Sequence, residues 1–416
     1  MLRFLTSGES HGPALIAILD GVPSGLQIDI DAVNAELARR QQGYGRGARQ
    51  KIETDTAEIM GGVRHGITSG APISIMVRNR DHNNWLHVMS ITQVMADDPA
   101  VAEQIEKKKI GRFRPGHADL AGTLKFRQRD IRDVLERASA RETAARVAVG
   151  AICEQILQQF DVRVVSHVVQ VGSIRSSQSS EDLPMDELRK RVAASDMFCV
   201  DEAAETKMKD LIKETWQQGD TIGGVVEVIA EGLPVGLGSY TQWDEKLDGQ
   251  LAQLVMSVHA IKAVEIGDGF ENVNSPGSEV HDAIYPASEQ LPFMRKTNKA
   301  GGLEGGMTNG SRVKVRAYMK PIPTLIKGLP SVSFPQFDAQ QAHYERSDVC
   351  AVPAASVVVK AMVAFGLTRA LLNKFGSDTM PDISAAINSY REFCREAPAR
   401  FAASLATSAT PDMELE

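Results

Sequence analysis

Two glycine-framed patterns occur twice in this chain, in the same order, and that repetition restricts the fold more than any other feature of the sequence. Gly8-x-x-x-Gly12 followed by Gly21-x-Pro23-x-Gly25-Leu26 returns as Gly219-x-x-x-Gly223 followed by Gly232-x-Pro234-x-Gly236-Leu237, at a constant offset of 211 residues (Gly8 to Gly219). Further on, Gly61-Gly62-x-x-x-Gly66-x-Thr68-x-Gly70 matches Gly301-Gly302-x-x-x-Gly306-x-Thr308-x-Gly310, each ahead of a predicted strand. Third in order, Glu136-Arg137 ahead of a helix bearing Ala144-Ala145 matches Glu345-Arg346 ahead of one bearing Ala354-Ala355. Such an ordered set predicts a duplicated sheet-and-helix unit: one domain over 1–400 with pseudo-symmetric halves of about 1–200 and 201–400, the site between them, and a loose tail at 401–416.

Local patterns supply the elements. Leu15 to Leu19 reads as a strand running into the turn at Asp20-Gly21-Val22-Pro23. A helix over Ala32–Gln41 follows, with Asp31 as its expected N-cap, Arg39 and Arg40 in its last turn and Gly43 just past it. Pro72 to Val77 predicts another strand. Ser139 and Glu142 have capping-box spacing ahead of a helix to about Phe160, with Val147, Ala148, Ala151, Ile152 and Leu157 mostly on one face. Strands are expected near Gly224–Ala230 and Arg312–Tyr318, then a helix from Pro353.

With 43% apolar residues in 416, the chain can bury a large core, and 24% charged residues argue against disorder. A net charge of −7 opposes binding to nucleic acid or an anionic membrane, so any anion must be held by a local concentration of Arg or Lys. Cys153, Cys199, Cys350 and Cys394 are far apart, with no metal-spaced or redox pair, which suits a cytoplasmic setting. The N-terminus enters a turn-rich motif too early for a signal peptide, and the apolar stretch Ala354–Leu372 carries Lys360 and Arg369 and reads as a buried helix, so no membrane span is expected.

Chemistry concentrates in a few places. His11, between Ser10 and Gly12, is either a turn histidine bonded to a carbonyl or an unobstructed imidazole facing a ligand. Its counterpart in the repeat is Ile222. The loop Gly43-Tyr44-Gly45-Arg46-Gly47-Ala48-Arg49-Gln50-Lys51, directly after Arg39 and Arg40, is either a solvated basic loop or a wrap for phosphate or carboxylate. Arginines crowd the stretch from Arg112 to Arg146. Within it, Arg114-Pro115-Gly116-His117-Ala118-Asp119 offers a second histidine on a rigid turn, and Arg137 and Arg141 flank a helix start that already favours an anion. Glu345-Arg346-Ser347-Asp348 precedes another helix start, where the carboxylate is either part of a cap or a proton acceptor. Cys350 reads as a buried small residue. There is no Walker loop, and no dinucleotide fingerprint opens a helix after a strand; Gly43-x-Gly45-x-Gly47 follows a helix instead. A non-catalytic polyanion-binding protein and an FMN reductase stand as alternatives to an enzyme acting on a small phosphorylated acid.

Taken in order, Gly8-Glu9-Ser10-His11-Gly12, Arg114 to Asp119, Arg137-Ala138-Ser139-Ala140-Arg141-Glu142-Thr143, Gly305-Gly306-Met307, Lys320-Pro321-Ile322 and Arg346-Ser347-Asp348 resemble the signatures of the chorismate synthase family, over about Arg3 to Leu372. The resemblance implies an α+β fold, a layered sheet-and-helix sandwich of β-α-β type. It also implies loss of phosphate and a ring hydrogen from 5-enolpyruvylshikimate 3-phosphate, with reduced FMN and no net redox change. By position, His11 would bond to or protonate the reduced flavin, His117 would protonate the leaving phosphate, and Asp348 would help remove the ring proton. Ser10, Arg40, Arg46, Arg49, Arg114, Arg141 and Arg346 would bind substrate, with Arg40 and Arg46 also linked to NADPH. Flavin contacts would come from Arg137, Ala138, Ser139, His259, Ala260, Gly305, Lys320, Pro321, Ile322, Pro323, Thr324 and Arg346, where His259 replaces an amide residue and Pro323 a small hydroxyl residue. No metal is implied. A cytoplasmic homotetramer is, with the flavin reduced by NADPH or by an external flavin reductase.

Overall fold

The computed structural model describes residues 1–46, 54–94, 98–287, 291–345, 347–376 and 378–408. In the first half, strands β1 (Arg3–Ser7) and β2 (Ala14–Asp20) precede helix α1 (Ile30–Gln41), strands β3 (Ala57–Gly61) and β4 (Ile73–Arg78), and helix α2 (Thr143–Gln158). The second half repeats this as β5 (Arg163–Val171), β6 (Gly224–Glu231), α3 (Leu247–Met256), β7 (Ile261–Ile266), β8 (Val313–Met319) and α4 (Val352–Phe375), followed by α5 (Met380–Ser408).

Both halves build the same antiparallel sheet. Its order is β1-β2-β4-β3 in one and β5-β6-β8-β7 in the other, where the short strand Ile174–Arg175 extends the β5 edge. Register is kept as well: Ala17 faces Ile75, and their counterparts Val228 and Val315 face each other. After β2 the chain turns at Gly21 with φ +86°, and after β6 at Gly232 with φ +90°, a left-handed conformation that glycine adopts without strain. Thr68 then donates to Pro23 O at 2.6 Å and accepts from Leu26 N at 2.9 Å; Thr308 repeats this with Pro234 O at 2.6 Å and Leu237 N at 2.8 Å. The repeated motifs are thus the same local structure. Helices Met185–Ala194 and Glu202–Gln217 lie between β5 and β6, where no helix separates β1 from β2.

The two sheets enclose a layer of helices in which α2 and α4 are the central pair, with α1 and α3 beside them. Gly150 marks the crossing of α2 and α4, since a Cβ there would lie 2.3 Å from Ala361 Cβ. Helix α4 is buried on nearly every side, from Val352 to Leu372. Its Lys360 is paired with Glu154 of α2 at 2.8 Å and Glu36 of α1 at 2.9 Å. Strand β2 alternates, with Leu15, Ala17 and Leu19 inward and Ile16 and Ile18 outward. The outer face of the second sheet is covered in part by helix Met185–Ala194, whereas that of the first exposes Leu5, Ile16, Ile18 and Met60.

Three local expectations are corrected. The α1 N-cap is Asp29, which accepts from Ala32 N at 3.0 Å, so Asp31 sits in the first turn. Ser139 caps a 3₁₀ turn, Ala140–Glu142, that leads into α2; Glu142 reaches Thr6 and Arg146 rather than closing a capping box. The segment 401–408, expected as loose tail, continues helix α5, with Phe401 to Leu405 exposed; the remainder of the tail lies outside the described residues.

Candidate active site

A cavity of about 590 Å³ opens where the halves meet, a size within the range of small-molecule sites. The first half contributes Ser10, His11, Arg40, Arg46, Arg114, His117 and Ala138–Arg141; the second contributes His259, Ala260, Lys320, Ile322, Pro323, Thr324, Ser347 and Asp348. Leu135, Val258, Ile261, Met319, Ala355 and Val358 give it an apolar wall.

His11 follows β1 on a turn clamped from several sides. Its backbone N–H donates to Glu136 Oε2 at 2.8 Å, and its Nδ1 lies 2.8 Å from Glu136 Oε1. Trp85 stacks on the ring at 3.9 Å between centroids, and His82 Nδ1 lies 2.9 Å from the His11 carbonyl. Lys108 and Arg132 sit over the Trp85 ring. Burial alone would raise the Glu136 carboxyl, but hydrogen bonds from His11 and the charge of Arg132, 2.9 Å away, hold it below its ordinary value.

His117 is built alike. Its Nδ1 is 2.5 Å from Asp119 Oδ1, and Arg114 donates to the same carboxylate through Nε at 2.8 Å and Nη2 at 3.0 Å. These contacts overcome the burial of Asp119 and hold its carboxyl well below the usual range. Arg114 also donates to Thr324 Oγ1 at 3.4 Å, and Lys320 to Gly116 O, so the two halves are tied across the cavity.

The remaining cations are held in position by acids. Asp55 accepts from Arg40 at 2.6 Å and from Arg141 at 2.6 and 2.7 Å. Desolvation takes the Arg40 guanidinium down to about 10 despite that partner. Asn79 accepts from Arg141 Nε at 2.9 Å and donates to Glu9 O and Gly12 O, tying the cradle to the His11 turn. Arg46 stands 3.0 Å from Asp348. Ser10 and Ser139 share a hydrogen bond of 3.2 Å.

Several expected residues lie elsewhere. Arg137 turns away along β1, donating to Thr6 O at 3.0 Å and Thr6 Oγ1 at 2.9 Å, and does not line the cavity. Gly305 is the exposed tip of the Leu303–Thr308 hairpin, which packs on the start of α3. Pro321 points outward, one residue along from cavity-lining Lys320. Arg49 and Arg346 lie outside the described residues. Sequence reasoning missed Glu136, Asp55, Trp85 and Asn79 as site residues, and took Asp119 only as part of a motif. Cys350 is buried, its thiol pushed up to about 12 by desolvation, and serves as packing.

A flat, partly apolar cofactor fits this lining. The Nδ1 atom of His259 is buried with no hydrogen-bond partner, as are Nε of Arg40 and of Arg46, so polar atoms at the cavity await a ligand's. Ala260 is held at φ +66°, a strained conformation in a non-glycine residue, and its carbonyl accepts from Lys320 N at 2.9 Å.

Two histidine–carboxylate pairs and an arginine-rich pocket beside an apolar wall define an enzyme that handles a small polyanion together with a planar cofactor. Residues 2–372 match the family model described as chorismate synthase. The chain is 50% identical over 392 residues to the chorismate synthase of Brevibacillus brevis, covering 94% of this chain and 99% of that protein. It is 52% identical over 388 residues to that of Trichlorobacter lovleyi, covering 92% and 96%. A chorismate synthase crystal structure superposes with a TM-score of 0.76 at 38% identity, covering 95% of this chain and 98% of that one. The chain belongs to the chorismate synthase family. It is a lyase that eliminates phosphate from 5-enolpyruvylshikimate 3-phosphate to give chorismate, with reduced FMN as cofactor.

Proposed function

We propose that the cavity between the halves carries out this 1,4-elimination with His117, His11 and Asp348 as its proton-handling groups. The observation that carries the reading is the convergence of both histidines, each backed by a carboxylate, with Arg40, Arg46, Arg114 and Arg141 on one cavity. His117 delivers a proton to the departing phosphate oxygen. Asp348 takes the ring proton as the carbon–hydrogen bond breaks, and His11 holds a proton toward the cofactor edge. The arginines cradle phosphate and the substrate's two carboxylates, their positions set in advance by Asp55, Asp119 and Asp348. Ser10 and Ser139 position the ligand. Ala138, Ser139, His259, Ala260, Lys320, Ile322, Pro323 and Thr324 hold the flavin, which when bound supplies electron density to a carbon whose hydrogen no carbonyl acidifies.

Residues 1–400 act as one unit, its halves descended from a duplication, in the cytoplasm. The chain assembles as a homotetramer, a reading supported by the apolar outer face of the first sheet, and its FMN is reduced either by NADPH acting on this chain or by an external flavin reductase. Anaerobic NADPH oxidation with FMN alone separates the last two sources.

The test is phosphate release and chorismate formation by the purified chain with reduced FMN and substrate, without oxygen. His117→Ala slows release by about 10²–10⁴-fold while leaving flavin binding nearly intact. No release by the wild type overturns the reading, and lost flavin binding in the variant makes His117 structural.

A further inference from the structure

Both histidines present the same three-residue arrangement: His11–Glu136–Arg132 and His117–Asp119–Arg114. In each, Nδ1 meets a carboxylate whose side chain is 0% exposed, and the carboxylate meets a guanidinium. We propose that Glu136 and Asp119 are positioning residues of the reaction, keeping Nδ1 of each imidazole protonated so that Nε2 is the nitrogen that takes up and gives the proton at the cavity. The inference rests on the proton-handling roles given above to the two histidines.

An ionised carboxylate only accepts, so the hydrogen between Nδ1 and Glu136 belongs to the ring. Glu136 holds His11 twice, through Nδ1 and through the backbone N–H, which ties the ring to its own main chain. Trp85, stacked at 24° between planes, blocks rotation of the ring. Arg132 donates to Oε1 at 2.9 Å and keeps the fully buried carboxylate ionised. His11 Nε2 carries no hydrogen bond among the described residues, leaving it for a ligand. For His117, Asp119 is shared more tightly with Arg114, whose Nη2 also lies 3.0 Å from Nδ1 and 3.3 Å from Nε2, and the ring is the more exposed, at 16% against 8% for His11.

The protein contains its own contrast. His167 is also paired with a buried glutamate, Glu227 at 3.0 Å, but through Nε2, and it does not line the cavity between the halves. That pair is structural, so a salt-bridged histidine alone is not the signature; the Nδ1 connection with Nε2 at the cavity is.

The experiment uses full-length protein with ¹⁵N-labelled histidine. In the wild type without ligands, the His11 and His117 signals, identified by loss on substitution, show protonated Nδ1. Glu136→Gln lowers kcat by about 10²–10⁴-fold, with KM changed by less than about threefold, and frees the ring from its fixed Nδ1–H; Asp119→Asn lowers kcat likewise and raises KM as well, because Asp119 also holds Arg114. Glu136→Asp restores part of the rate, and Glu227→Gln leaves kcat unchanged. A wild-type spectrum with His11 protonated at Nε2 alone overturns the proposal without any variant, and so does a Glu136→Gln enzyme with kcat near that of the wild type. Because the spectrum needs neither flavin nor substrate, it stands or falls separately from the assigned activity.

Discussion

The guanidinium of Arg46 lies 3.0 Å from the carboxylate of Asp348, and both line the cavity between the halves. If Asp348 takes the ring proton as proposed, a substrate anion that draws the Arg46 guanidinium toward itself uncovers that carboxylate, so substrate binding and the base are coupled through this pair. Asp348→Asn therefore leaves substrate affinity unchanged or improved while lowering the single-turnover rate by about 10²–10⁴-fold. Calorimetric titration and rapid-quench phosphate release give the two quantities; a near-normal rate removes Asp348 from the chemistry.

Asp55 is fully enclosed between Arg40 and Arg141. Burial acts to raise its carboxyl, but the two guanidiniums outweigh it and hold the folded-state value below that of the unfolded chain. The stability this provides is present above the unfolded value of about 3.9 and is lost as pH falls through the folded value. Asp55→Asn costs about 3–5 kcal/mol near neutrality, since it strands buried cations. Urea unfolding of wild type and variant should converge as pH drops below about 4; a gap independent of pH contradicts the pairing.

Glu154 shows the opposite sign. Desolvation pushes its carboxyl up to about 7 even beside Lys360. The stability tied to its protonated form is complete below the unfolded value and declines as pH rises through about 7. Glu154→Gln is then at least as stable as the wild type at alkaline pH, because Glu36 still pairs Lys360 at 2.9 Å. Removing the cation with Lys360→Met destabilises at neutral pH. Denaturation at two pH values separates the two variants.

The α2–α4 crossing allows no methyl group. Gly150→Ala places carbon against Ala361 and costs about 1–3 kcal/mol or more, read as a lower Tm, because both helices are anchored in the core. Gly249, whose Cβ would meet nothing within 4 Å, is the neutral comparison.

Self-association is tested on the bare sheet face. Ile18→Lys with Leu5→Lys puts two charges among exposed apolar side chains and should lower the mass seen by light scattering without altering the circular dichroism. An unchanged mass places the interface elsewhere.

What could be read in advance had local causes. Positive φ at tight turns demands glycine, so Gly21, Gly62 and their counterparts Gly232 and Gly302 left a spaced signal that revealed the halves. Asp29 and Asp31 are both good caps two residues apart, and only the observed bond to Ala32 N decides between them. The acids behind the site left no such trace. Glu136 is 125 residues from His11 and Asp55 is 86 from Arg141, so their pairing depends on tertiary structure alone. Glu136 and Glu345 were visible as a matched pair, but nothing local showed that Arg132 would stand 2.9 Å from one and 3.6 Å from the other. Arg137, placed near the flavin by its motif, was lost to the carbonyl of Thr6, a partner from the neighbouring strand.

Between Gln158 at the end of α2 and Arg163 at the start of β5, the chain passes from one half to the other. A molecule made this way behaves as a pair of subunits that cannot dissociate or exchange. If the halves descend from a duplication as proposed, a matched position of the shared pocket has two copies, of which selection needs to guard only one. Ile222, matched in the repeat to His11, would on that reading be a copy set free: it is partly buried against the core and serves packing. Two identical subunits meeting on a symmetry axis could not have made that exchange without losing both histidines together.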